Sequence, residues 1–93
     1  MKKSLVLRPL VQKRLRELPA RDALDAVFAL LDLGAQFGDP HSHSGLGIRK
    51  LGRDVFECRA GLRLRCGFFV SEENLVIAFV GNHDEIRRWV RDL

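Results

Sequence analysis

The chain has little sulfur, few lysines and no long apolar run, and each shortage removes a class of function. Two cysteines, Cys58 and Cys66, stand in 93 residues, too few for a disulfide framework. The longest purely apolar runs are residues 26–31 and 75–80, well short of the ~20 residues a transmembrane helix needs. Lys2 and Lys3 are basic, but Arg8, Pro9, Lys13, Arg14 and Arg16 break up any signal-peptide core after them. The expectation is a reduced, cytosolic protein without a membrane. No glycine-rich phosphate loop is present. His41-x-His43, with His83 as a third ligand, begins a metal motif, but no Cys, Asp or Glu at metal spacing completes it. The chain is therefore expected to need no metal and no cofactor.

What is present is arginine and enough apolar material for one core. Hydrophobic residues make up 46% of the chain, which reads as a single domain over residues 1–93. A chain this short is only marginally self-sufficient, so a partner or a dimer is expected. The net charge is +4, with 12 Arg against 4 Lys. Arginine presents a planar donor fork that holds phosphate bidentately and stacks on bases. High-GC codon usage would produce the same excess.

Hydrophobic periodicity orders the elements. Ser4–Leu7 reads as a first strand. Pro9 opens a helix in which Val11, Leu15 and Leu18 fall at i, i+4, i+7, and Pro19 ends it. A second helix spans residues 20–37, with Asp22 and Asp25 near its positive end. Ala23, Leu24, Val27, Phe28, Leu30 and Leu31 give it an apolar surface wider than a stripe, so burial on more than one side is expected. Residues 38–45 form a loop, and residues 48–51 lead into strand 54–59. Strands at 63–70 and 75–80 follow, then a helix over 84–93 with Ile86, Trp89, Val90 and Leu93 along one side. The class is α+β: strand, two helices, a three-stranded antiparallel meander and a C-terminal helix.

The register of the first meander hairpin decides which charges meet. A two-residue Ala60-Gly61 loop mixes charge and hydrocarbon on both faces. A three-residue loop over 60–62 places Arg59 opposite Arg63 and Glu57 opposite Arg65. Glu57, Arg59, Arg63 and Arg65 then share one face, and Phe56, Cys58, Leu64 and Cys66 the other. The second register is preferred because it keeps the apolar set together. The Arg59–Arg63 pair costs roughly some tenths of a kcal/mol, which a bound phosphate would offset. A solvated outer face with one Glu–Arg pair is the alternative reading. Both cysteines fall on the core face as buried, inert thiols.

Several short motifs follow one another here: Arg49-Lys50-Leu51-Gly52, Phe56-Glu57-Cys58-Arg59, Leu62-Arg63-Leu64 and Val80-Gly81-Asn82-His83-Asp84. Gly38-Asp39-Pro40 precedes them. In order and spacing they resemble the RelE/ParE superfamily of toxins from type II toxin–antitoxin systems, including its phage-derived branch. The resemblance implies a ribosome-dependent, metal-free mRNA endoribonuclease. Its partners would be mRNA on the ribosome and a cognate antitoxin, the latter in a hetero-oligomer. It also implies roles: Arg63 on the scissile phosphate with Arg59 in support, and Lys50 as a cation at the site edge. His83 would be general acid or base, and Glu57 a base or the group orienting Arg65. The family often uses a C-terminal Tyr; this chain has none. Trp89 stands near that place and would stack on a base or, as part of the apolar stripe, pack in the core. Two other readings stay open. One is a ParE-type inhibitor of DNA gyrase, which needs no acid–base residue, and the other is a non-catalytic binding module of the same fold.

Overall fold

A computed structural model describes residues 3–38 and 45–93. The elements are β1 (Ser4–Leu7), α1 (Pro9–Glu17), α2 (Ala20–Gln36), β2 (Arg49–Gly52), β3 (Val55–Ala60), β4 (Leu64–Val70), β5 (Asn74–Gly81) and α3 (His83–Arg91). The strands form one sheet in the order β1-β5-β4-β3-β2. Only β1 and β5 run parallel; β2 to β5 form an antiparallel meander. The α+β class and the strand–helix–helix–meander–helix order match expectation.

The meander has four strands, not three. Residues 48–51 were expected only as a lead-in; Arg49–Gly52 instead pair with β3 as an edge strand. The turn between them carries Asp54 at φ 57, a left-handed conformation that Asp tolerates better than most residues.

Two layers of helix cover opposite faces of the sheet. On one face, Cys58, Ala60, Leu64, Cys66, Phe68, Leu75, Ile77 and Val80 form a buried cluster with Val11 of α1 and Ala26, Ala29, Leu30 and Leu33 of α2. Phe68 is fully buried. Its ring stacks on Phe56 at 5.7 Å and meets the edge of Phe37 at 5.8 Å. Side chains alternate along a strand, so Gly67 and Phe69 turn the other way. There α3 lies. Trp89 stacks on Phe79 at 5.6 Å and meets Phe69 at 5.8 Å. Gly67 makes that approach feasible: a Cβ at this position would stand 2.4 Å from the indole. The cations of Arg8 and Arg14 lie over the rings of Phe69 and Phe79 at 5.1 and 4.6 Å.

The register of the β3–β4 hairpin differs from expectation. Ala60 pairs with Leu64, Arg59 with Arg65 and Glu57 with Gly67. The loop is Gly61-Leu62-Arg63, with Gly61 at φ 72. Arg63 therefore leaves the strand for the turn. The observed and expected pairings differ by two residues, which keeps every side chain on its face. Apolar alternation cannot separate such registers. The docking of the turn against α2 does: a Cβ on Gly61 would stand 2.5 Å from the Asp25 carboxylate.

The burial of α2 is also narrower than expected. Ala26, Ala29, Leu30 and Leu33 face the sheet, while Leu24, Val27, Phe28 and Leu31 are exposed. Among the described residues α2 packs on one side.

Candidate active site

α3 begins with a reciprocal cap. The Asn82 side chain accepts from the Glu85 N–H at 2.9 Å, and the Glu85 carboxylate accepts from the Asn82 N–H at 2.9 Å. The Asn82 N–H holds the Glu85 carboxyl below its ordinary range; burial opposes it, and Arg14 and Arg88 lower it further. Arg14 donates to the Val80 carbonyl at 3.2 Å and reaches Glu85 at 3.4 Å, which ties α1 to this corner. The corner sets the position of His83, the first residue of α3.

His83 lines a cavity of ≈ 270 Å³ with Arg49, Leu51, Glu57, Ile86, Arg87 and Val90. β2, β3 and α3 each supply part of it. Glu57 is 3% exposed. A carboxylate this buried needs compensation, and cations surround it. Arg65 Nη1 lies 4.0 Å from Glu57 Oε1, an ion pair without hydrogen-bond contact. Arg49 stands directly across the ladder from Glu57. Arg87 Nη1 lies 3.4 Å from His83 Nε2 and donates to it in the tautomer that leaves this nitrogen unprotonated. Three guanidiniums against one carboxylate leave two net positive charges about the cavity. Such a charge balance suits an anion such as a phosphate, and one carboxylate and one imidazole beside it have the chemistry to move protons.

The residues expected at the site divide. Glu57 and His83 line one cavity, and Arg65 reaches Glu57 from the neighbouring strand. Arg59 lies on the same face, across from Arg65, with its side chain under Gly47. Arg63 lines a different cavity, with Pro19, Arg21, Asp22 and Asp25 at the start of α2. Lys50 pairs with Phe56, so it belongs to the opposite face of the sheet from Glu57. Trp89 is half-buried in the aromatic cluster and lines a separate recess with Arg14, Phe79 and Glu85. His41 and His43 lie outside the described residues.

Two cavity cations, Arg49 and Arg87, were not singled out by the residue pattern. Arg87 was legible, since it stands one helical turn after His83. Arg49 was not, because its position depends on β2 being a strand. On the other face the two cysteines are directly opposed. A hydrogen bond to Cys58 and burial push the Cys66 thiol well above its usual range, so it is no nucleophile.

No family model matches the chain, and no curated protein does. Solved structures do. The archaeal RelE–RelB complex from Pyrococcus horikoshii contains a chain that superposes with a TM-score of 0.69 at 18% identity, over 88% of this chain and 96% of that one. A copper-bound variant toxin from Helicobacter pylori gives 0.58 at 22% identity, over 92% and 99%. The H. pylori protein HP0894 gives 0.55 at 21% identity, over 92% and 99%. This chain has the RelE-like fold.

Proposed function

We propose that this chain is the toxin of a toxin–antitoxin pair and cuts mRNA on the ribosome. The observation that carries the reading is the buried Glu57 carboxylate sharing a cationic cavity with His83. Glu57 takes the proton of a ribose 2′-OH. The freed oxygen attacks the adjacent phosphorus, and the bond from phosphorus to the 5′-oxygen breaks. His83 delivers the proton to that leaving oxygen. Arg49, Arg65 and Arg87 stabilise the charge that builds on the phosphoryl oxygens. The role expected of Arg63 passes in this scheme to Arg65, which the ladder holds beside Glu57. Arg59 extends the cationic face for flanking phosphates, and Arg63 is free to contact the strand or the ribosome away from the chemistry. Trp89 serves packing.

The test is primer extension on a defined mRNA in a cell-free translation system. Glu57→Gln and His83→Ala are each expected to lower cleavage by about 10²-fold or more, while keeping the far-ultraviolet circular dichroism of the folded parent. Cleavage that survives both substitutions would sink the assignment of roles. Intact mRNA with the parent protein, together with failure of DNA supercoiling, would move the function to gyrase inhibition.

A further inference from the structure

α2 is apolar on two opposite sides, and the fold uses one. Leu24, Val27, Phe28 and Leu31 recur at i, i+3, i+4 and i+7, a continuous stripe facing away from the sheet. They are 57, 42, 61 and 58% exposed. Leu62, at the tip of the β3–β4 turn, is fully exposed and lines the same recess as Arg21 and Asp25 of α2. The four helix side chains alone present roughly 400 Å² of mainly apolar surface, the scale at which a patch marks an interaction site. A standard interface buries about 800 Å² per partner around such an apolar centre.

We propose that this face joins two copies of the chain in a two-fold dimer, with α2 antiparallel to α2 of the second copy. The sequence of the stripe is nearly symmetric about the step between Val27 and Phe28. In an antiparallel pair Leu24 meets Leu31 of the second copy, and Val27 meets Phe28. An isologous contact requires this self-complementarity. Charge selects the same arrangement. Arg21 and Asp32 are eleven residues apart, three helical turns, so they lie on one flank of the stripe. Antiparallel pairing brings Arg21 beside Asp32 of the second copy, twice. Parallel pairing would set Arg21 against Arg21 and Asp32 against Asp32. Neither residue has an ion pair within the chain among the described residues. The contact lies across the sheet from the Glu57–His83 cavity, which stays open in the dimer.

Sedimentation equilibrium on the purified full-length chain tests this. The expected result is a reversible monomer–dimer equilibrium in the range of about 1–100 µM. Phe28→Glu gives a monomer with the parent's far-ultraviolet circular dichroism, since the ring is 61% exposed and lies outside the buried core. Arg21→Asp and Asp32→Arg each weaken the dimer roughly tenfold, and the double exchange restores it. A parent chain that stays monomeric throughout that range overturns the proposal. So does a double exchange that fails to restore the dimer, or a stripe shielded only when another protein is bound.

Discussion

The two faces of the sheet are built from alternate residues of the same strands and serve opposite ends. The face under α1 and α2 is hydrocarbon: Phe68, Leu75, Ile77, Cys58 and Cys66 are fully buried. The face under α3 is aromatic at one end, around Trp89, and charged at the other, around Glu57. One secures the fold and the other forms the cationic cavity to which we assign the chemistry. Burial on the apolar face offsets the cost of keeping Glu57 out of water beside a cationic cavity. α3 is the part shared between the two tasks. Ile86 and Trp89 anchor it to the sheet, and the next positions round the helix, His83 and Arg87, line the cavity.

The comparison can be broken most severely from the apolar side. Phe68→Ala removes a fully buried ring with two aromatic partners and is expected to cost about 3–5 kcal/mol. Chemical denaturation measures it. A loss below 1 kcal/mol would show that the helix-covered face is not the main source of stability.

Gly67→Ala attacks the seam between α3 and the sheet. The new methyl would overlap the Trp89 indole, so α3 must shift. The expected loss is about 1–3 kcal/mol, accompanied by reduced activity, because His83 and Arg87 move with α3. Near-ultraviolet circular dichroism of the lone tryptophan reports the displacement. An unchanged spectrum would mean that α3 is not held by this contact.

The smallest expected effect comes from the cap. Asn82→Ala should cost about 1 kcal/mol. The pH-dependent part of the cap belongs to Glu85, whose carboxylate accepts from the backbone N–H of residue 82, a donor that alanine keeps. The folded state depresses the Glu85 pKa, so its contribution is present above the ordinary carboxylate value and is lost as pH falls through the folded value. The parent and Glu85→Gln should therefore converge in stability in acid, which thermal melts across the acidic range would show. A constant difference there would remove Glu85 from the account.

Much of this was legible before folding is considered. The apolar alternation of residues 54–70 separates Glu57, Arg59 and Arg65 from Cys58, Leu64 and Cys66, and the structure keeps that partition. Pro9, Pro19 and the periodicity of Val11, Leu15 and Leu18 mark the helices. The last helix was visible from Ile86, Trp89 and Val90, though it begins at His83, one residue before the expected start.

Three matters were not. β2 is short, exposed and on an edge, so its pairing leaves almost no pattern in residues 49–52. The β3–β4 register lay beyond reach because two registers two residues apart satisfy the same alternation. The choice fell to the fit of Gly61 against Asp25, a contact between residues 36 positions apart. The composition of the cavity was hidden for the same reason: Arg49, Glu57 and Arg87 come from three elements, and nothing local brings them together.

Local pattern thus determined which residues form each element and which face each side chain takes, because 2-fold and 3.6-fold periods are written residue by residue. Tertiary packing alone decided which charged groups became neighbours. Ladder register and helix docking are settled by contacts between distant segments, and each arginine is chemically equivalent until those contacts exist.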